Sequence, residues 1–219
     1  MPRLLFEKNG RAVWISHLDL MRLFQRAFKR AGLKLKHTQG FNPRPSVSIA
    51  LPLSVGVESE CELLDFDLEG EEIPNEQIAA LLNKNLVDGV KVKAVYDSGK
   101  KIGSLALLQC RIEMEYNAPV ADNTCARIGE LFASESLVLP KKTKSGIQDQ
   151  DIIPMIKHIR TQLEGAHTIA MDALICCQNP TLNPAQLVLA IETFLPEFKP
   201  DFVNCRRMEI FDINENVFR

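Results

Sequence analysis

Apolar positions along this chain alternate between a spacing of two and a spacing near 3.6. Residues 3–7 and 12–15 read as short extended pieces around a turn at Asn9-Gly10. Ser16 then opens a helix. Its hydroxyl can accept from the free N–H groups of the first turn, and Asp19 three residues on completes a capping-box-like signature. Leu20, Phe24, Ala27 and Ala31 recur at helical spacing, Met21 and Phe28 widen the stripe, and Gly32 supplies the stop. Two prolines and Gly40 then forbid a continuous helix. The pattern predicts strands over 33–37 and 47–51 with a rigid loop over 40–45 between them. A strand over 62–68, a helix over 74–86 with Pro74 near its first turn, and a strand over 90–96 follow.

That order is β-α-β-β-α-β, the split βαβ or ferredoxin-like unit. After a break at 97–103, rich in Gly, Ser and Lys, the order roughly recurs. Strands are predicted over 105–116, 136–140, 166–176 and 203–213, and helices over 124–133 and 184–194. A charged hairpin-like stretch, KKTKSGIQDQD, and an extra helix near 152–163 interrupt the second copy. The halves share element order and no residue-level similarity. The predicted fold is therefore α+β, with two tandem ferredoxin-like units, the second carrying an inserted hairpin and helix. The domains are residues 1–98, basic, and residues 104–219.

Charge changes the picture more than composition does. The chain has 219 residues, is 46% hydrophobic and 25% charged, and its net charge of −2 is unremarkable. The average hides an asymmetry: residues 1–50 carry ten Lys or Arg against Glu7 and Asp19, a net +8, which leaves −10 for the remainder. Polyanions are the usual partner of such a basic end. No apolar run is long enough to span a membrane, and Glu7 interrupts the start too early for a signal peptide, so a cytoplasmic location is expected.

The first helix concentrates the charge. Arg22, Arg26, Lys29 and Arg30 share one face at i, i+4, i+7 and i+8, where like charges repel by a few tenths of a kcal/mol per pair. Lys34, Lys36 and His37 extend the run. Phosphate binding accounts for such a face. Lipid is disfavoured because the apolar side of the helix is needed for the core. The loop Gln39-Gly40-Phe41-Asn42-Pro43-Arg44-Pro45 adds stiffness, which pre-organises Gln39, Asn42 and Arg44 for a ligand. Phe41 is placed either to stack on a base or to plug the core.

The run Trp14-Ile15-Ser16-His17-Leu18-Asp19-Leu20-Met21-Arg22 resembles the S-H-L-D segment of the bacterial radical SAM-linked protein family, whose function is unknown. Gln39–Pro45, Ala50-Leu51-Pro52-Leu53, Gly56 and Glu58-Ser59 match it in order and spacing, so the resemblance covers about the first seventy residues. The stretch 141–152 is similar but weaker. Members stand beside a radical SAM protein or are fused behind one. This chain has no C-x-x-x-C-x-x-C to hold an iron–sulfur cluster, so it resembles the stand-alone form. The resemblance implies a bacterial cytosolic protein that binds no cofactor itself, with the iron–sulfur cluster and SAM on its partner. The family's association with genes for ribosomal proteins and ribonucleases suggests RNA by analogy.

Site chemistry is otherwise thin. The six cysteines form no C-x-x-C pair and read as small buried thiols, and no phosphate-loop or nucleophile-elbow motif is present. Asp149 and Asp151 read as a solvated pair leading into a helix rather than as metal ligands. The tandem order also looks like the metal-independent CRISPR repeat-processing endoribonucleases, in which His17 and His37 would serve as acid and base. The glycine-rich signature of those nucleases is missing. The sequence thus points to an RNA-binding accessory protein of a radical SAM enzyme acting on rRNA or tRNA, without catalysis of its own. Arg22, Arg26, Lys29, Arg30, Lys34, Lys36 and Arg44 would grip the RNA, while His17, Asp19, Gln39, Gly40, Phe41, Asn42, Pro43 and Pro45 shape the site. The competing readings are a His17-dependent ribonuclease and a protein-docking adaptor.

Overall fold

A computed structural model of the chain describes residues 2–97, 99–143 and 146–219. Ser98 in the break, and Lys144 and Ser145 in the charged hairpin, lie outside the described residues. The chain divides into two compact units, one running to Ile102 and one from Gly103 to Phe218.

The first unit contains β1 (Pro2–Lys8), α1 (His17–Arg30), β2 (Val47–Ile49), β3 (Val57–Phe66), α2 (Asn75–Asn83) and β4 (Val90–Asp97). Its strands pair antiparallel in the order β4-β1-β3-β2. This is the ferredoxin-like arrangement, reached because each helix returns the chain to the far side of a strand already laid down. Leu4 and Phe6 from β1, Leu64 and Phe66 from β3, and Val90 and Val92 from β4 point to one face, where they meet Leu20, Phe24, Ala27 and Phe28 of α1 and Ile78 and Leu82 of α2. Phe6 and Phe24 pack edge to face at 4.7 Å, and Phe28 tilts over Phe66 at 5.0 Å. Ser16 caps α1 as its sequence predicts: its Oγ accepts from the Asp19 backbone N–H at 3.2 Å. Gly32, at φ +72°, ends the helix one residue past its C-cap.

Residues 12–15 are not extended. Gly10–Trp14 forms a turn of 3-10 helix instead. The cause is Lys8, fully buried at the end of β1, whose ammonium donates to the carbonyls of Val13 and Ile15 at 3.1 Å each and draws the chain back on itself. Gly89 makes this corner possible. Its carbonyl accepts from the Asn9 N–H at 2.8 Å, and a Cβ there would collide with the Asn9 carbonyl oxygen and stand 2.9 Å from the Ala12 Cβ. Its φ of +81° is also one that L side chains resist. Gly89→Ala is expected to destabilise the protein by about 1–3 kcal/mol from backbone conformation alone, with the clash adding to it. A urea midpoint within error of the parent would contradict this.

The second unit contains β5 (Leu105–Glu115), α3 (Thr124–Phe132), β6 (Val138–Thr143), β7 (Gly146–Asp151), β8 (Ile156–Leu163), β9 (Thr168–Cys176), α4 (Ala185–Phe194) and β10 (Phe202–Asp212). Its main sheet runs β10-β5-β9-β8, all antiparallel, so the ferredoxin-like order repeats. The inserted hairpin is β6–β7, a separate two-stranded sheet. The extra helix expected near 152–163 is absent. Pro154 sits in a short 3-10 turn, and the rest is β8, an edge strand bonded to β9. Buried side chains alternate along β5, where Cys110, Ile112 and Met114 turn inward while Gln109 and Glu115 are exposed.

Candidate functional site

α1 presents its cations as its sequence predicts. Arg22, Arg26, Lys29 and Arg30 are exposed, with Leu20, Phe24, Ala27 and Phe28 beneath them in the core. They are not equivalent. Arg22 pairs with Asp19 at 2.9 Å, and Asp19 also accepts from the Ser16 hydroxyl at 2.7 Å. The Ser16 hydroxyl first, then Arg22, holds the Asp19 carboxyl below the usual carboxylate range. Arg30 donates to the Asn85 carbonyl at 2.6 Å and ties the end of α1 to the segment after α2. Lys34 pairs with Glu69 at 2.7 Å. That hydrogen bond raises the ammonium's pKa and lowers the carboxyl's, with His37 and Lys36 adding to the carboxyl's depression. Arg26, Lys29, Lys36 and Arg44 form no ion pair among the described residues.

Past Gly32 the chain forms a narrow hairpin. Leu35 bridges to Leu68 and His37 to Pro45, so the predicted strand over 33–37 is reduced to single antiparallel bridges. Thr38 and Arg44 close the loop twice: the Thr38 N–H donates to the Arg44 carbonyl at 2.8 Å, and the Arg44 N–H donates to the Thr38 hydroxyl at 3.0 Å. Below them the Ser46 N–H donates to the Lys36 carbonyl at 2.7 Å. The tip, Gln39, Gly40, Phe41, Asn42 and Pro43, is exposed throughout, and Gly40 takes φ +132°. Phe41 is fully exposed and plugs no core. Between this hairpin and α1 lies a groove of about 500 Å³. Gln25 and Lys29 of α1 form one wall, Leu33 and Leu35 are among its apolar lining residues, and Lys34, His37 and Pro45 complete it.

His17 and His37 stand at opposite ends of α1. His17 is its first residue, and its Nδ1 is buried without a hydrogen-bond partner among the described residues. His37 lines the groove beside Lys29 and Gly32. The fourteen residues between Ser16 and Ala31 make a helix about 21 Å long, so no acid–base pair is assembled.

Two features of the site were illegible in the sequence. Arg3 and Lys8, counted among the ten cations, are buried. Arg3 makes a bidentate contact with Asp65 at 2.6 and 3.0 Å and a further bond to the Lys100 carbonyl. These charges are consumed inside the unit and contribute no binding surface. Trp14 is 72% exposed, and Leu18 in the first turn of α1 is 67% exposed. A large aromatic is thus left in water at the head of a basic helix, where the apolar pattern had predicted a strand.

In the second unit, Arg111 gathers Glu113, Glu164 and Asp172 on one face of the β5-β9 ladder. The guanidinium is satisfied by its own carboxylates, and the Glu164 hydrogen bond raises its pKa still further. Asp151 accepts from the N–H groups of Leu137 and Ile153, which lower its pKa; it caps the turn before β8. Asp149 lies two residues before it on β7. Among the described residues no three His, Cys, Asp or Glu side chains gather as a metal ion requires. Cys61, Cys110, Cys176 and Cys177 are buried, Cys125 and Cys205 partly so, and none of the six forms a disulfide. Burial pushes the Cys177 thiol up to about 12 and the Cys205 thiol to about 11, which keeps both protonated and unreactive.

Residues 2–184 match the family described as an uncharacterized protein conserved in bacteria, DUF2344. The chain belongs to that family. The match takes in the basic helix, the hairpin and most of the second unit of this DUF2344 protein. No curated protein matches it in sequence. Among solved structures, a chain of a Cbf5-Nop10-Gar1 complex is similar at 7% identity with a TM-score of 0.53, over 95% of this chain and 48% of that one. The DUF2344 chain therefore spans just under half the length of that chain, and the likeness shows a fold and nothing further. An unknown protein from Galdieria sulphuraria aligns at 10% identity over 94% of this chain and 96% of that one, with a TM-score of 0.27, too low to establish a shared fold. No helix among the described residues is long and apolar enough to cross a membrane.

Proposed function

We propose that this DUF2344 protein is an RNA-binding accessory protein, that its first unit grips single-stranded segments of rRNA or tRNA, and that a radical SAM enzyme carries out the chemistry. One observation carries the RNA reading: Arg26, Lys29, Lys36 and Arg44 are all exposed and outside any ion pair among the described residues, with Lys29 lining the groove and Lys36 and Arg44 in the pinned hairpin whose tip holds Phe41 in solvent. Cations held out of ion-pair contact suit phosphates, whose condensed counterions are released on contact. An exposed aromatic at a stiff loop tip suits an unstacked base. The partnership rests on the resemblance of Trp14–Arg22 and Gln39–Pro45 to the radical SAM-linked proteins. The cluster and SAM would reside on that partner.

The ribonuclease reading finds no support in the separation of His17 from His37. The test is binding of the purified protein to total cellular RNA across a salt series. Four phosphate contacts on a single strand predict that log K falls with log salt at a slope of about −3. His17→Ala is expected to bind as the parent does and to leave the RNA uncut, as the parent should. Absence of binding at low salt would overturn the RNA reading. Cleavage by the parent that disappears in His17→Ala would replace it with the ribonuclease.

A further inference from the structure

We propose that Trp14 is a base-stacking platform at one end of a short single-strand track along α1, whose other end is the groove beside Lys29 and His37. This rests on the RNA reading above and specifies its footprint.

Trp14 is the only tryptophan of the chain and the fold gives it no core: 72% of it is in water. A Cβ built at Gly56 would lie 3.8 Å from its Cζ3, so one edge of the ring rests near the Gly56 backbone and most of the indole has no protein neighbour. Leaving that much aromatic surface solvated forfeits burial that a tryptophan ordinarily contributes. The position is specific. Trp14 ends the 3-10 turn three residues before α1, and that turn is held in place by the buried Lys8 ammonium on the Val13 and Ile15 carbonyls. The backbone that carries the platform is thus fixed on both sides of Trp14. From there α1 runs about 21 Å, with Arg22 and Arg26 along its exposed face, to the groove and the Phe41 hairpin. At the 3.4 Å spacing of a stacked strand that distance holds about six nucleotides, and fewer if the strand is extended. Two solvated aromatics with cations between them match a strand whose base faces are free. A duplex hides those faces in its own stack.

Because Trp14 is the sole tryptophan, its emission reports on the site directly. The experiment titrates the full chain at low salt with oligouridines of two, four, six and eight nucleotides. Anisotropy of a 3′-fluorescein label follows binding, and indole emission follows stacking. Binding should quench Trp14, and affinity should rise with length and level off at or below about six nucleotides. Trp14→Leu should weaken binding by about fivefold to a hundredfold, and Trp14→Phe, which keeps a π face, by clearly less. Urea melts of both variants check the fold, which an exposed side chain should leave intact. Labelled oligonucleotide that binds while Trp14 emission and the Trp14→Leu affinity stay unchanged would overturn the platform and leave the RNA reading standing. Equal affinity for a duplex of the same length would do likewise. No binding of any oligonucleotide at low salt removes both readings together, and Trp14 then belongs to a protein-docking surface.

Discussion

Replacing Arg26, Lys29, Lys36 and Arg44 together by Gln is expected to weaken RNA binding by about 600-fold at 0.1 M salt, since each lost single-strand phosphate contact is worth about fivefold there. The slope of log K against log salt should shrink by about 3. The four were chosen because the structure leaves them outside any ion pair among the described residues. The complementary set, Arg22→Gln, Arg30→Gln and Lys34→Gln, removes cations already engaged with Asp19, the Asn85 carbonyl and Glu69, and its effect should be smaller. Side chains this exposed contribute little to stability, so the urea midpoint of the quadruple variant should move by no more than about 0.5 kcal/mol. Equal losses from the two sets would mean that net charge alone governs binding and that ion pairing does not decide which cations meet the RNA.

Phe24→Ala is expected to cost about 3–5 kcal/mol, the range for truncating a buried phenylalanine. Phe24 is fully buried, edge-on to Phe6, and links the middle of α1 to β1. Such a loss is a large share of the stability of a small unit. Chemical denaturation followed by circular dichroism measures it. Phe41→Ala is the control. That ring is wholly in solvent, so the same substitution should leave stability within about 0.5 kcal/mol while weakening RNA binding. A loss under about 1 kcal/mol for Phe24→Ala would contradict the packing described for α1.

Most of the fold was legible because its elements follow a clean period. The capped, amphipathic α1 and the alternating β4 and β5 lie where the pattern predicts them. The exception at 152–163 has a definite cause. Ile156, Ile159 and Leu163 fall at i, i+3 and i+7, a helical spacing. The ladder to β9 slips between Ile156 and His158, and that bulge brings Ile156 and Ile159, three apart, to face Ile175 and Ala173. One inserted residue made a strand imitate a helix. The site was legible as a set of charges and not as a set of free charges. Nothing local in the sequence tells Lys8, spent on two carbonyls, from Lys29, left to the groove. Partners such as Glu69 for Lys34 and Asn85 for Arg30 come from 35 and 55 residues away, a distance only the folded chain closes.

The sheets end on strands that discourage company. β4 closes its end of the first unit with Lys91 and Lys93 exposed, and β8 closes its end of the second with Lys157 and Arg160 exposed beside the bulge. Charge and irregularity on an edge make it a poor template for another extended chain. On the RNA reading proposed above, copies would crowd along a long polyanion, and guarded edges would let them line up there without knitting into aggregates.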